Sequence, residues 1–83
     1  MLRQIRDQDN LAMFQSSYIP DQLFNFYVLR SKVYRNGTCL WSICVEVNGA
    51  PTRHMTIETV RGTKTQAIAR LKELLSYKGV EGV

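Results

Sequence analysis

Between residues 23 and 60 the side chains alternate with a period of two, and at residue 63 the pattern changes to that of a helix. No other feature limits the possible folds so strongly. Alternation sends successive side chains to opposite sides of a strand, whereas apolar spacings of three and four line one side of a helix. The alternating region divides into three strands, "LFNFYVLRSKVY" (23–34), "TCLWSICVEV" (38–47) and "RHMTIETV" (53–60). "NGAP" separates the last two, and its proline cannot donate to a sheet ladder.

The helix is predicted over 63–78. Thr63 and Gln66 form a capping box, in which the hydroxyl accepts an orphan amide and the glutamine reaches back. Ala67, Ile68, Leu71, Leu74 and Leu75 make one apolar stripe, and Gly79 is the natural stop. Residues 1–22 form an N-terminal segment in which Leu2, Ile5, Leu11, Ala12, Met13 and Phe14 suggest a short helix within 2–16. Pro20 and Asp21 then mark a turn. The expected fold is a single α+β domain over 1–83 with two layers. A three-stranded antiparallel sheet is packed by the C-terminal helix, with a possible short N-terminal helix.

The turn "VYRNGTCLW" sets the register of the first two strands. In the second strand the odd positions Cys39, Trp41, Ile43, Val45 and Val47 are apolar, and Met55 and Ile57 continue this in the third. A two-residue turn at Asn36-Gly37 would pair Arg30 with Ile43 and Lys32 with Trp41 on the core side. Burying two unpaired cations there would cost several kcal/mol each. A three-residue loop, Arg35-Asn36-Gly37 with Gly37 left-handed, pairs Leu29 with Ile43 and Tyr27 with Val45 instead. The second register is therefore expected. It leaves Arg30, Lys32 and Tyr34 on an open side, with Thr38, Leu40, Ser42, His54 and Thr56. Arg35 sits at the hairpin tip and Arg53 beside the second turn. Phe26 and Val28 fall on the same side, where the N-terminal segment would cover them.

Composition excludes more than it identifies. An apolar fraction of 45% over 83 residues suits one globular domain, and no apolar run approaches the ~20 residues of a membrane span. The charged start "MLRQIRDQDN" is unlike an export signal, so a cytoplasmic location is expected. Cys39 and Cys44 fall on opposite sides of one strand and are expected as free thiols. His54 has no second ligand or nucleophile near it in sequence, and no metal or cofactor motif occurs, so no enzyme is expected. The net charge of +4 is uneven: residues 1–29 carry two basic and three acidic side chains, and residues 30–83 nine and four. A basic C-terminal two-thirds is compatible with a polyanion partner.

Residues 27–71, "YVLRSKVYRNGTCLWSICVEVNGAPTRHMTIETVRGTKTQAIARL", resemble two groups of three-strand-plus-helix DNA readers. These are the arm-site-binding domain of tyrosine recombinases and the plant ethylene-response DNA-binding domain. The likeness lies in the strand "LWSICVEV" and in "TIETVRGTKTQA", a polar turn leading into a helix. It implies that Arg30, Lys32, Tyr34, Arg35 and Arg53 enter a DNA groove. The plant type's arginine- and glycine-rich first strand is missing, as is a recombinase catalytic domain. The double-stranded-RNA-binding domain, helix–three strands–helix, is a weaker likeness and would use Lys64 at the last helix start.

The sequence thus leads to a small non-enzymatic nucleic-acid-binding protein, with DNA ahead of RNA as partner. Its candidate site is Arg30, Lys32, Tyr34, Arg35, Arg53, His54 and Lys64. The rival expectation is a protein-binding accessory or inhibitor of viral or mobile-element type that engages a host protein complex. A homodimer is compatible with either, given the size of the domain.

Overall fold

A computed structural model describes residues 2–19, 22–47 and 54–77. Five strands precede one helix: β1 (Leu2–Gln8), β2 (Leu11–Ile19), β3 (Gln22–Val33), β4 (Cys39–Val47), β5 (His54–Gly62) and α1 (Lys64–Tyr77). The strands form one antiparallel sheet in chain order, and α1 packs on one side of it against β3, β4 and β5. The α+β class, the last three strands and the C-terminal helix agree with the sequence reading. The three-stranded sheet does not, because the N-terminal segment is a β-hairpin rather than a helix. The helix–three strands–helix order of double-stranded-RNA-binding domains is therefore absent.

Two features disguised that hairpin. Asp9 and Asn10 form a two-residue connection between Gln8 and Leu11, using residue types that tolerate tight-turn backbone. A β-bulge at Ile5 then breaks the alternation of β1, so that Gln4 lies opposite Phe14 and Arg6 opposite Met13. Leu2 and Ile5 at a spacing of three mimic a helical stripe when the true cause is this extra residue.

The β3–β4 hairpin closes through the three-residue loop expected from its sequence. The Tyr34 amide donates to the Thr38 carbonyl at 2.8 Å, the Gly37 amide donates to the Tyr34 carbonyl at 3.1 Å, and Gly37 has φ 85°. Val33 lies opposite Cys39 and Lys32 opposite Leu40. Beyond this point the expected register fails. Ser31 is an extra residue, and Arg30 pairs with Trp41, Leu29 with Ser42 and Val28 with Ile43. The bulge reconciles two phases in one strand: Phe24, Phe26 and Val28 are apolar at even positions, while Lys32 and Tyr34 are polar at even positions. Without it, one set would be on the wrong side of the sheet.

Phe26 and Val28 are consequently core residues, 6% and 0% exposed, while Leu29 is 42% exposed on the opposite side. Tyr27 lies on that side too, opposite Cys44 rather than Val45. A further bulge, at Ile57, places Glu58 opposite Ile43 and Thr56 opposite Cys44. Met55 and Ile57, expected inside, are 66% and 40% exposed. The core joins Ala12, Phe14, Phe26, Val28, Trp41 and Ile43 of the sheet to Ala67, Leu71 and Leu75 of α1. Trp41 anchors it, and its indole donates to the Gly62 carbonyl at 3.2 Å.

The helix begins as its sequence predicts. The Thr63 amide donates to Gln66 Oε1 at 2.8 Å, and the Gln66 amide donates to Thr63 Oγ1 at 3.2 Å. Two ion pairs fasten α1 to the sheet from either flank: Lys64 to Asp7 on β1, and Arg70 to Glu58 on β5. Cys39 and Cys44 are free, on opposite sides of β4.

Candidate nucleic-acid interface

Residues opposite one another in antiparallel strands share a side, so the register lays out the uncovered side row by row. Arg3, Gln15, Asn25 and Glu46 form one row. Arg6, Met13, Tyr27, Cys44 and Thr56 form the next, followed by Gln8, Leu11, Leu29, Ser42 and Thr59. Lys32, Leu40 and Arg61 make the last strand-paired row, and Tyr34 lies beyond it at the hairpin end.

Cations occupy two corners of this side. At the hairpin end, the Arg61 guanidinium lies 4.1 Å from the centre of the Tyr34 ring and the Lys32 ammonium 5.2 Å from it. The exposed Arg35 is in the adjoining loop. At the diagonal corner, Arg3 donates to Gln15 Oε1 at 3.3 Å, and Gln15 donates to Asn25 Oδ1 at 3.1 Å. Arg6 stands one row away. The side thus presents Arg3, Arg6, Lys32 and Arg61 against a single described carboxylate, Glu46, which is 7% exposed and accepts a hydrogen bond from the Tyr27 hydroxyl. Burial and the Glu46 carboxylate push the Tyr27 phenol up to about 12.

The helix side is balanced differently. Among the described residues, every ion pair lies there: Lys64 with Asp7, and Arg70 with Glu58 and Glu73. Arg70 donates to Glu58 Oε1 at 2.9 Å and to Glu73 Oε1 at 2.7 Å. The Arg70 hydrogen bonds hold the Glu58 carboxyl below the usual range.

The residues expected as one site are therefore only partly brought together. Lys32, Tyr34 and Arg35 cluster at the hairpin end. Arg30, exposed opposite Trp41, is separated from them by the Ser31 bulge and lies by register on the helix side. Lys64 is committed to Asp7 and the Gln8 carbonyl on the helix side. His54 pairs with Glu46 at the far end of β4, and Arg53 lies outside the described residues. Arg61, Arg3 and Arg6 were missed. Counting outward from the inward Val60 would have placed Arg61 on the open side. The two N-terminal arginines were hidden by the helical reading of their segment.

Among the described residues no three His, Cys, Asp or Glu side chains group as a metal site. No described helix is long and apolar enough to cross a membrane. No protein-family model, curated protein or solved structure matches this chain. The strand–turn–strand–turn–strand–helix order behind the likeness to DNA readers corresponds to β3–α1 of a larger, five-stranded sheet.

Proposed function

We propose that this chain is a small non-enzymatic nucleic-acid-binding protein that contacts its partner through the open side of the sheet and the β3–β4 hairpin tip. The observation that supports this is the uneven pairing of charge. On the helix side Lys64 and Arg70 are paired with three carboxylates and only Arg30 and Lys72 lack an ion pair, whereas on the open side none of Arg3, Arg6, Lys32 and Arg61 has an ion-pair partner among the described residues. Unpaired guanidinium and ammonium groups on an exposed sheet suit phosphates, and the neighbouring Thr38 and Ser42 hydroxyls suit phosphate or sugar oxygens. DNA is placed ahead of RNA because of the likeness of residues 27–71 to DNA readers.

Two double charge reversals test the proposal. Lys32→Glu with Arg61→Glu and Arg30→Glu with Lys72→Glu change the net charge equally, on opposite sides of the sheet. The first pair is expected to weaken binding to an oligonucleotide at least tenfold and to flatten the dependence on log salt by about 1.4–1.8, two phosphate contacts' worth. The second should do little. An equal loss in both would mean that overall charge, not this surface, holds the nucleic acid. Exposed Met55 and Ile57 on edge strand β5 favour a second reading, an accessory protein that binds a host protein complex. Purified protein free of nucleic acid, with one saturable protein partner, would favour it.

A further inference from the structure

We infer that the occupant of the open side is a single strand of nucleic acid laid diagonally across the sheet, and that duplex is bound less well. This deepens the proposed function and rests on it. A two- or three-stranded ribbon fits the major groove, which is about 12 Å wide. Five strands at ~4.8 Å spacing make a surface about 19 Å across, too broad to enter it.

The chemistry of the surface points the same way. Its two cationic corners, Arg3 with Arg6 and Lys32 with Arg61, are separated by about 20 Å on strand spacing and rise. Between them lies an apolar and aromatic strip: Leu11, Met13, Tyr27, Leu29 and Leu40. Leu29 is 42% exposed at its centre. A duplex hides its base faces and offers this strip only phosphates, which cannot use it. A single strand offers unstacked bases to the strip while its backbone reaches the cations at both ends. Arg61 over Tyr34 supplies a further platform, since bases stack on guanidinium planes as well as on aromatic rings. A second copy of the chain fits the surface poorly, because two such faces would oppose four cations to four.

The test compares single-stranded and duplex DNA of the same sequence, about 16 nucleotides long, the upper site size of single sheet-based modules. The expected result is single-strand binding at least tenfold tighter than duplex. Leu29→Asn should weaken the single strand several-fold with little effect on duplex or on the salt slope. Arg3→Ala with Arg6→Ala, at exposed edge-strand positions, should flatten the single-strand salt slope by about 1.4, two contacts at ~0.7 each. Duplex bound as tightly as single strand, with the Arg3 and Arg6 changes silent, would overturn the inference. That result would leave the proposed function standing, with the hairpin end alone in the groove. Binding of neither form would overturn both.

Discussion

Replacing Val28 and Leu29 in turn by alanine tests the turned-over register of β3, on which the composition of the open side depends. Val28 is fully buried beneath α1, between Ala12 and Ile43. Val28→Ala removes two carbons at about 0.8 kcal/mol each, and incomplete closure of the space brings the loss to about 2–3 kcal/mol. Leu29 is 42% exposed on the opposite side, so Leu29→Ala should cost less than about 1 kcal/mol. An 83-residue domain has roughly 4–12 kcal/mol in total, so the first loss is a large share of it. In thermal unfolding it lowers Tm by ~10–20 °C, and the second change by a few degrees. Trp41, the one tryptophan and itself in the core, reports the transition by fluorescence. Uninterrupted alternation reverses the order, with Leu29 inside and Val28 outside. A larger loss for Leu29→Ala than for Val28→Ala would refute the bulge at Ser31 and the open side derived from it.

Three further outcomes follow from local geometry. Deleting Ser31 joins Arg30 to Lys32 with each keeping its side, so stability should stay within about 1 kcal/mol, read by urea unfolding. Gly37→Ala meets no atom within 4 Å, so its cost is backbone alone, about 1–2 kcal/mol at φ 85°, and Gly37→Asn should recover part of it. Tyr27 holds its proton more tightly folded, at about 12 against 10.0, than unfolded. Its contribution is therefore intact below pH 10 and lost as pH rises towards 12; one of the four tyrosines should ionise late by ultraviolet absorbance, and Glu46→Gln should bring it earlier.

The elements that read clearly from sequence are those whose local rules and packing agree. The helix has its cap, its stripe and its burial in phase, and the β3–β4 loop has a glycine where a left-handed residue is needed. The departures trace to single inserted residues. A bulge changes the side of every residue beyond it, and period counting carries the old phase forward. That is how Ser31 separated Arg30 from Lys32, and how Ile57 set Glu58 and Val60 on the helix side in place of Thr59 and Arg61. Edge strand β1 adds a second cause. With Leu2 its main inward apolar residue, it has too little pattern to announce a strand, and Arg3 and Arg6 stayed invisible as part of the basic side. Both edge strands carry a bulge, a known protection against edge-to-edge pairing, so the features that blurred the sequence serve the fold.

Chemical-shift mapping of the labelled protein during titration with single-stranded DNA tests the central claim most directly. Saturable shifts are predicted at Arg3, Arg6, Leu29, Lys32, Tyr34, Leu40 and Arg61, with Arg30, Arg70 and Lys72 unmoved. Shifts centred on α1, or none that saturate, would contradict the assignment of the open side as the binding surface.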